Sequence, residues 1–424
     1  MLNESSLRAV AAARGAYGEV TPLYASYCFR NLPSLIRYIL IGDSTPSVPL
    51  DVLGDLPHQH SIVVFVLVDA LGWQHIEPYL DTQPLLQRAL REGAVSKITA
   101  MFPSTTTAHI INFFADLPPS QSGFYEWFQY EPSLNRLITP LYFSYAGDKE
   151  RGTLSRSGVQ PESLYPRQTF LKALLEAGVT SYVVQPAWYA QGPVSMLLKP
   201  FANLAGYRTF ADGLAQAAAL VQRHRAENTP AFIWVYTDSV DDVAHTYGPS
   251  SESARAEAEA VFAQLERVLL PRIEGSGVLV LITADHGQID VDPQRTRYLN
   301  QIVPNFERYL AQGGDGRPLA PAGSARDLFL HVRPEMLEEA QTVFSRAVDG
   351  VARVLKTQVL IEEGFFGPDP SPLFLQRVGN LVVLPAPGET VYIYEKGRFE
   401  QKYFGHHGGL SAEEMETPLI ALLA

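Results

Sequence analysis

Residues 62–72 read IVVFVLVDALG, and this stretch decides the fold class. Seven consecutive apolar residues, most of them β-branched, stop at Asp69. An uninterrupted run of this kind is typical of a strand buried on both faces, in the middle of a parallel sheet covered by helices. Open α/β sheets bind ligands at the carboxyl ends of their strands, where Asp69 would lie. Taken alone, Asp69 is more simply explained as a cap on the next helix.

The same pattern occurs twice more along the chain. The apolar segment 231–235 leads into Asp238 and Asp241, and the segment 277–284 leads into Asp285 and His286. Helices are predicted between the strands, over residues 84–92, 169–177, 211–225 and 251–270, with further strands over 95–101 and 180–185. Strands that alternate with helices predict crossover connections, and hence an α/β fold with a mostly parallel central sheet and helices on both faces.

Two stretches depart from this alternation. Residues 118–166 are rich in Tyr, Trp, Phe, Pro and Gly and predict a surface excursion over the sheet edge. Residues 321–398 contain predicted strands at 327–332, 354–361 and 381–384 and a helix at 334–348, and we interpret them as a small inserted α+β lid. The catalytic core then comprises residues 1–320 and 399–424, and the last apolar segment is predicted to be a helix.

The composition excludes several classes of protein. A formal net charge of −12 over 424 residues argues against binding to a nucleic-acid polymer, although bound cations would still allow a small phosphate-bearing substrate. The single cysteine, Cys28, permits neither an internal disulfide nor a cysteine-based zinc cluster. Because we find no signal peptide and no apolar run long enough to span a membrane, a cytoplasmic location is expected.

Several side chains have the chemistry and spacing of metal ligands. Asp241 and His245 are four residues apart, which places them on one face of a helical turn. Asp285 and His286 follow a strand directly, and His407 lies in a glycine-rich loop. Carboxylate oxygen and imidazole nitrogen together suit Zn²⁺, and also Mn²⁺ or Fe. Each pair alone is also explained by a capping Asp beside a hydrogen-bonded His.

Residues 102–108, FPSTTTA, add a hydroxyl cluster at a strand-to-helix turn. The amino end of a helix offers free N–H groups to an anion. A threonine in this position is most simply a helix N-cap. Beside a metal ion, however, the same hydroxyl can act as a nucleophile.

Five short motifs occur in a recognisable order. They are Asp69-Ala70-Leu71-Gly72, Phe102-Pro103-Ser104-Thr105-Thr106, Val240-Asp241-Asp242-Val243-Ala244-His245, Asp285-His286-Gly287 and His406-His407-Gly408. Together they resemble the motifs of the type I phosphodiesterase/nucleotide pyrophosphatase family, within the alkaline phosphatase superfamily. The matches run from about residue 61 to 409, and five in the right order are far more specific than any one of them.

The resemblance implies an alkaline-phosphatase-like fold and a hydrolase of phosphodiester or pyrophosphate bonds. It also implies two divalent metal ions, most readily Zn²⁺, with Mn²⁺ as the alternative. One ion would be held by Asp69, Thr106, Asp285 and His286, and the other by Asp241, His245 and His407. Thr106 would be the nucleophile, and Thr105 and Thr107 are the neighbours with which it can be confused.

The substrate pocket is less specified. The aromatic stretch 124–130 offers Tyr125 and Trp127 to bind a substrate, or these rings pack the excursion onto the core. The family's oxyanion-binding Asn falls near Glu126 and Trp127. Ala70 and Ala244 replace glycines of the family, and we expect negative φ at both.

Three functions compete on this sequence. No Lys or Arg lies between Lys97 and Arg136, which favours a singly charged diester, although Lys149 or Arg151 can supply a cation. The alternative is a phosphomonoesterase or phosphonate hydrolase of the same superfamily. A non-catalytic protein that binds zinc is disfavoured, because structural zinc sites usually use cysteine.

Overall fold

The computed structural model describes residues 1–190 and 192–424. The strands in the described residues are β1 (Ile62–Val68), β2 (Ala94–Thr99), β3 (Gln129–Glu131), β4 (Arg136–Thr139), β5 (Ser144–Tyr145), β6 (Thr180–Pro186), β7 (Asn203–Tyr207), β8 (Ala231–Thr237), β9 (Leu279–Thr283), β10 (Ile289–Asp290), β11 (Arg297–Tyr298), β12 (Ala322–Gly323), β13 (Leu328–Leu330), β14 (Ala352–Lys356), β15 (Leu381–Pro385), β16 (Val391–Tyr392), β17 (Gly405–His406) and β18 (Glu416–Leu423).

The helices in the same residues are α1 (Glu4–Ala12), α2 (Leu32–Ile41), α3 (Pro84–Glu92), α4 (Thr106–Ala115), α5 (Pro119–Ser122), α6 (Thr153–Arg156), α7 (Phe170–Glu176), α8 (Pro193–Leu198), α9 (Phe210–Glu227), α10 (Ser239–Tyr247), α11 (Glu252–Gln264), α12 (Leu270–Ile273), α13 (Leu299–Ile302), α14 (Leu337–Ala347), α15 (Thr357–Glu362), α16 (Pro372–Arg377) and α17 (Ala412–Met415). A π-helical turn, Leu265–Leu269, joins α11 to α12. No helix among the described residues is both long and apolar enough to cross a membrane.

The central sheet has seven strands in the order β2-β18-β9-β1-β8-β6-β7. β1 pairs in parallel with both β8 and β9, and β6 pairs in parallel with β7 and β8. β18 is antiparallel to its two neighbours, β2 and β9. The predicted mostly parallel α/β sheet is therefore confirmed, with one reversed strand inside it.

β1 lies at the centre because both of its faces are apolar. All seven of its residues are buried. Val64 and Val66 pack into a core with α9 and α11, while Val63 and Phe65, on the opposite face, pack into a core with α2, α4 and α7. Alternation of side chains along a strand produces these two layers of helices.

The predicted C-terminal helix is wrong. Residues 416–423, ETPLIALL, form β18, which is inserted between β2 and β9. A short apolar run has no periodicity that separates a buried strand from a buried helix, so the pairing edges of β2 and β9 decide its conformation.

A second, antiparallel sheet occupies the region of the predicted lid. Its strand order is β12-β13-β15-β14. The strand predicted over 354–361 is half wrong, since β14 ends at Lys356 and α15 begins at Thr357. The core beneath this sheet is shared with Phe102 and Tyr125 of the catalytic block. The domain boundaries at 321 and 398 stay a prediction, and the excursion 118–166 contains the small sheet β3-β4-β5.

Candidate active site

Three neighbouring strands bring the predicted acidic side chains to one edge of the sheet. Asp69 follows β1, Asp285 and His286 follow β9, and Asp241 lies in α10 just after β8. Because β9, β1 and β8 are adjacent and parallel, their carboxyl ends meet at the same edge. This arrangement converts three distant motifs into one site.

The first cluster surrounds the hydroxyl group of Thr106. Its Oγ1 lies 3.0 Å from Nε2 of His286 and 3.4 Å from each carboxylate oxygen of Asp69. The same His286 nitrogen lies 3.4 Å from Oδ1 of Asp69 and 3.4 Å from Oδ2 of Asp285. Oδ2 of Asp285 is buried and has no hydrogen-bond partner in the described residues. A buried carboxylate oxygen without a hydrogen-bond partner fits a ligand of a cation.

The second cluster consists of Asp241, His245 and His407. One ligand atom from each lies within 4.8 Å of the others. Nε2 of His245 is 3.4 Å from Oδ1 of Asp241, and Nε2 of His407 is 3.9 Å from the same oxygen. The rings of His407 and His286 stack at 3.9 Å between centroids, so the two clusters are in contact.

Backbone carbonyls orient the two histidines of the second cluster. Nδ1 of His245 donates to the carbonyl oxygen of Gly405 over 2.8 Å, and Nδ1 of His407 donates to that of Ser104 over 2.9 Å. A carbonyl only accepts, so each Nδ1 carries the proton and each Nε2 presents a lone pair to the cluster. Metal-binding histidines are held in this way.

The electrostatics of the site also suit a divalent cation. Burial, followed by the charges of Asp285 and Asp241, raises the pKa of Asp69 well above its usual range. Burial raises the pKa of Asp285 to about 7, and it lowers the pKa of His286 and of His407 well below the usual value. Among the described residues, the ionic partners of these three carboxylates are histidines. A bound cation would restore the carboxylates to their charged form.

Of the three threonines at this turn, only Thr106 faces the two clusters. Thr106 is the first residue of α4, and Thr105 is its N-cap without a side-chain hydrogen bond. Thr107 is fully buried, and its Oγ1 has no partner in the described part of the chain. Thr106 alone reaches the carboxylate and histidine groups.

His109 holds this turn, and sequence reasoning missed it. Its Nδ1 donates to the carbonyl oxygen of Thr105 over 2.8 Å, and its Nε2 accepts from the amide of Met101 over 2.8 Å. The ring is fully buried, and burial lowers its pKa to about 4, so it stays neutral. A histidine one helical turn after the N-cap was the available signal. The imidazole of His109 therefore connects Met101, just after β2, to Thr105 at the start of α4.

Two further side chains support the carboxylates. Tyr236 donates its hydroxyl to Oδ2 of Asp69 over 2.5 Å, and Nε2 of Gln288 donates to Oδ1 of Asp241 over 2.5 Å. Tyr236 lies on β8, five residues before Asp241, and Gln288 lies two residues after His286. Their role depends on which face of the backbone they occupy, which the sequence does not show.

A family model described as type I phosphodiesterase / nucleotide pyrophosphatase matches residues 63–410. The chain belongs to this family. The predicted family and superfamily are therefore confirmed. Members of this family are metal-dependent and act on phosphoric esters. The identity of the metal stays a prediction.

Two curated relatives are ectonucleotide pyrophosphatase/phosphodiesterase family member 3 of Mus musculus and of Rattus norvegicus. Each is 23% identical over 255 residues, or 59% of this chain. The match spans only 28% of the mouse protein and 27% of the rat protein. Both relatives are named as ectonucleotide enzymes, so the predicted cytoplasmic location stays a prediction.

Solved structures show the same fold. Murine ectonucleotide pyrophosphatase/phosphodiesterase 5, solved as an inactive variant in complex with AMP, has a TM-score of 0.62 at 16% identity, over 85% of this chain and 87% of that one. Phosphonoacetate hydrolase from Sinorhizobium meliloti 1021, in complex with phosphonoacetate, has a TM-score of 0.59 at 18% identity, over 85% and 89%. At these identities the likeness establishes the fold, and the predicted fold class is confirmed.

Departures from the family's motifs have visible consequences. Ala70 has φ +58°, so the expectation of negative φ there is wrong. Its amide donates to Oδ1 of Asp285 over 3.3 Å, an interaction that offsets the cost of a left-handed alanine. Ala244 lies inside α10 and meets the expectation. Glu126, near the position of the family's Asn, is fully buried, so its side chain presents no exposed surface to a substrate.

A cavity of about 920 Å³ opens over both clusters. Trp127, predicted to bind substrate, lines it and packs edge-on against Tyr142 at 4.9 Å between centroids. Tyr125 is fully buried instead, with its ring against Phe329 and its hydroxyl donating to the carbonyl of Arg377. Because Tyr125 has no exposed surface, its burial favours the packing alternative over the predicted substrate role.

The cavity also contains cations from outside the cation-free stretch. Arg151, from the excursion, and Arg398 both line it. Arg398 is engaged, donating to Glu395 and to the carbonyl of Ala146. A positive charge therefore reaches the substrate cavity, which weakens the sequence argument against a monoester.

Proposed function

We propose that this protein hydrolyses phosphodiester or pyrophosphate bonds, with Thr106 as the nucleophile and two divalent metal ions. The observation that supports this most is the position of the Thr106 hydroxyl, 3.0 Å from His286 and 3.4 Å from Asp69. Among the described residues, neither Thr105 nor Thr107 makes a side-chain hydrogen bond to these groups. The proposal agrees with the chain's family.

The proposed ligand sets follow the two clusters. Asp69, Thr106, Asp285 and His286 would hold one ion, and Asp241, His245 and His407 the other. Bound ions of this kind lower the pKa of a hydroxyl group and offset negative charge on a phosphoryl group. Three histidines among carboxylates favour Zn²⁺, and Mn²⁺ is the alternative.

The residues of the chain then have separate tasks. Oγ1 of Thr106 forms a bond to phosphorus, while the bond from phosphorus to the leaving oxygen breaks. Water then cleaves the threonyl phosphoester and restores the hydroxyl. His109 keeps the turn in place, and Tyr236 fixes Asp69 by its hydrogen bond. Burial of Asp69, Asp285 and His286 strengthens the electrostatic interactions among them.

A substrate with an apolar or aromatic portion fits the cavity. Trp127, Tyr142, Trp188 and Tyr189 line it together with the catalytic residues. Side chains of this kind stack on planar groups or enclose apolar ones. A small phosphoester, rather than a polymer, is the proposed substrate, in keeping with the net charge of −12.

The experiment is a panel of esters, assayed on zinc-loaded and manganese-loaded protein. We expect kcat/KM for bis(4-nitrophenyl) phosphate to exceed that for 4-nitrophenyl phosphate. Acid quenching during turnover should trap phosphate on the peptide that contains Thr106, detected by mass spectrometry. A panel without any hydrolysed ester would overturn the proposal.

The second candidate is a phosphomonoesterase or phosphonate hydrolase. Arg151 supports it, because a guanidinium in the cavity offsets the second charge of a monoester dianion. Faster cleavage of the monoester, or of a phosphonate, in the same panel would favour this candidate. The nucleophile and the proposed ligands would remain the same.

A further inference from the structure

Arg151 is placed like a binding group. It lies in the loop between β5 and α6, and its guanidinium carbon is 4.3 Å from the ring centroid of Tyr142 and 5.1 Å from that of Tyr189. Two aromatic faces restrict a side chain that would otherwise lose considerable conformational entropy on binding. The guanidinium is therefore partly ordered before any ligand arrives.

Its position relative to the site is fixed by one of these rings. The hydroxyl of Tyr189 donates to Oδ2 of Asp238 over 2.9 Å, and Asp238 follows β8 at the edge that carries the clusters. Arg151 itself lines the cavity shared with Thr106 and Asp69. The charge is thus held on the wall of the cavity that also contains Thr106 and Asp69.

The hydrogen-bonding groups of Arg151 have no protein acceptor among the described residues. The structure gives it contacts to two rings, whereas Arg398 in the same cavity donates hydrogen bonds to the carboxylate of Glu395 and to the carbonyl oxygen of Ala146. Burial raises the pKa of the nearby Asp238 and the charge of Arg151 opposes this rise, yet the two form no ion pair in the described chain. An arginine has five N–H donors in a fixed plane that matches a carboxylate or a phosphate.

We propose that Arg151 binds a second anionic group of the substrate, a carboxylate or a phosphate that is separate from the group attacked by Thr106. This inference rests on the proposed hydrolytic function and narrows its substrate class to esters with an additional negative charge. It also explains how an acidic protein attracts an anionic substrate into an acid-rich cavity. The guanidinium provides a positive charge at the wall, in addition to that of bound metal ions.

The test uses three diaryl phosphates that differ only in one ring substituent: a neutral carboxamide, a carboxylate or a phosphonate. We expect the wild-type protein to prefer the charged esters through a lower KM. Arg151→Gln should reduce kcat/KM for the charged esters at least fivefold more than for the carboxamide ester. Arg398→Gln, the matched control, should leave the ratio of charged to neutral esters near the wild-type value.

The carboxylate and phosphonate esters separate the two possible anions, since the larger loss in Arg151→Gln identifies the preferred one. Equal loss on all three esters, or no wild-type preference for charge, would overturn the inference while leaving the hydrolytic function intact. If no ester is cleaved, the proposed function fails. Calorimetric dissociation constants of the three esters for wild type and Arg151→Gln then still decide whether Arg151 binds the anion.

Discussion

Three consecutive threonines stand at the start of α4, and their surroundings differ sharply. Thr107 points into the core, Thr105 caps the helix through its backbone alone, and Thr106 faces the two clusters. The three side chains are chemically identical and differ only in their position in the structure. Substitution of each in turn therefore isolates the contribution of position.

Thr106→Ala is expected to keep the fold and the second metal-binding cluster. It should reduce kcat/KM on bis(4-nitrophenyl) phosphate roughly a hundredfold or more, because the covalent route is removed. Thr106→Ser, which retains a hydroxyl, should keep a good part of the rate. Metal content, measured by elemental analysis, shows whether the remaining ligands still bind.

Thr105→Ala and Thr107→Ala are the controls for this turn. Among the described residues neither hydroxyl makes a hydrogen bond, so each substitution should cost no more than about 1 kcal/mol of stability and should change kcat/KM little. If Thr106→Ala kept near-wild-type activity while either control lost it, the assignment of the nucleophile would be wrong.

Glu126 provides a prediction about pH. It is fully buried and accepts a hydrogen bond from the amide of Trp127. Burial raises its pKa from 4.5 to about 8, so the folded protein keeps a proton that the unfolded chain releases. Because the folded state binds more protons between these values, the stability contributed by this group is lost as pH rises toward 8.

Glu126→Gln should remove this pH dependence, since glutamine stays neutral. The free energy of unfolding of Glu126→Gln minus that of wild type should therefore be larger at pH 8 than at pH 5, by about 1–3 kcal/mol. Urea denaturation at several pH values measures it. Glu162→Gln, at an exposed position in the same cavity, is the matched control, and a difference that stays constant with pH would contradict the prediction.

At the scale of elements, the sequence predicted the parallel strands of the central sheet better than the antiparallel strand β18. β1, β8 and β9 were predictable because each apolar run ends in an acid. β18 was not, since its apolar run has no periodicity and acquires a strand conformation from two neighbours distant in sequence. The same limit applies to Tyr125 and Trp127, whose residue types are alike while one ring faces the core and the other the cavity.

The loop that carries His407 depends on a buried ion pair next to it. Arg326, between β12 and β13, donates from Nε to Oε1 and from Nη2 to Oε2 of Glu414, over 3.0 and 2.8 Å. Glu414 also accepts from the amides of Gly409 and Ser411. Both charged side chains are buried, so the pair ties the second sheet to the loop that carries His407.

Glu414→Gln should therefore be strongly destabilising, by about 3–5 kcal/mol, because it leaves the Arg326 guanidinium buried without its counter-charge. Chemical denaturation measures the loss. Glu413→Gln, one residue away and exposed, is expected to change stability by less than about 0.5 kcal/mol. Equal effects of the two substitutions would show that the ion pair does not support this loop.

At the scale of the whole molecule, the cavity is assembled from three parts of the chain. The central sheet supplies the clusters, the excursion supplies Arg151 and Tyr142, and the second-sheet block supplies Gly323 and Ser324. The sequence predicted the first part through its motifs. The other two parts carry no motif, because their contribution depends on how the blocks pack together.

Protein purified without a chelator is expected to contain close to two equivalents of divalent metal, with zinc favoured. Removal by EDTA should lower the melting temperature as well as the activity. A ligand that binds only the folded state stabilises it by about 4 kcal/mol at a thousandfold excess over its dissociation constant. Absence of tightly bound metal, together with a melting temperature indifferent to EDTA, would refute the proposed site.

β18 is the last strand of the central sheet to leave the ribosome, yet it belongs between two strands made long before it. Until Glu416–Leu423 emerges, β2 and β9 each retain an open, apolar edge. Such edges pair readily with other chains, so a chain that lacks β18 exposes two sites for intermolecular pairing. Premature termination or proteolytic clipping ahead of Glu416 would thus yield an aggregating fragment rather than a weakened enzyme.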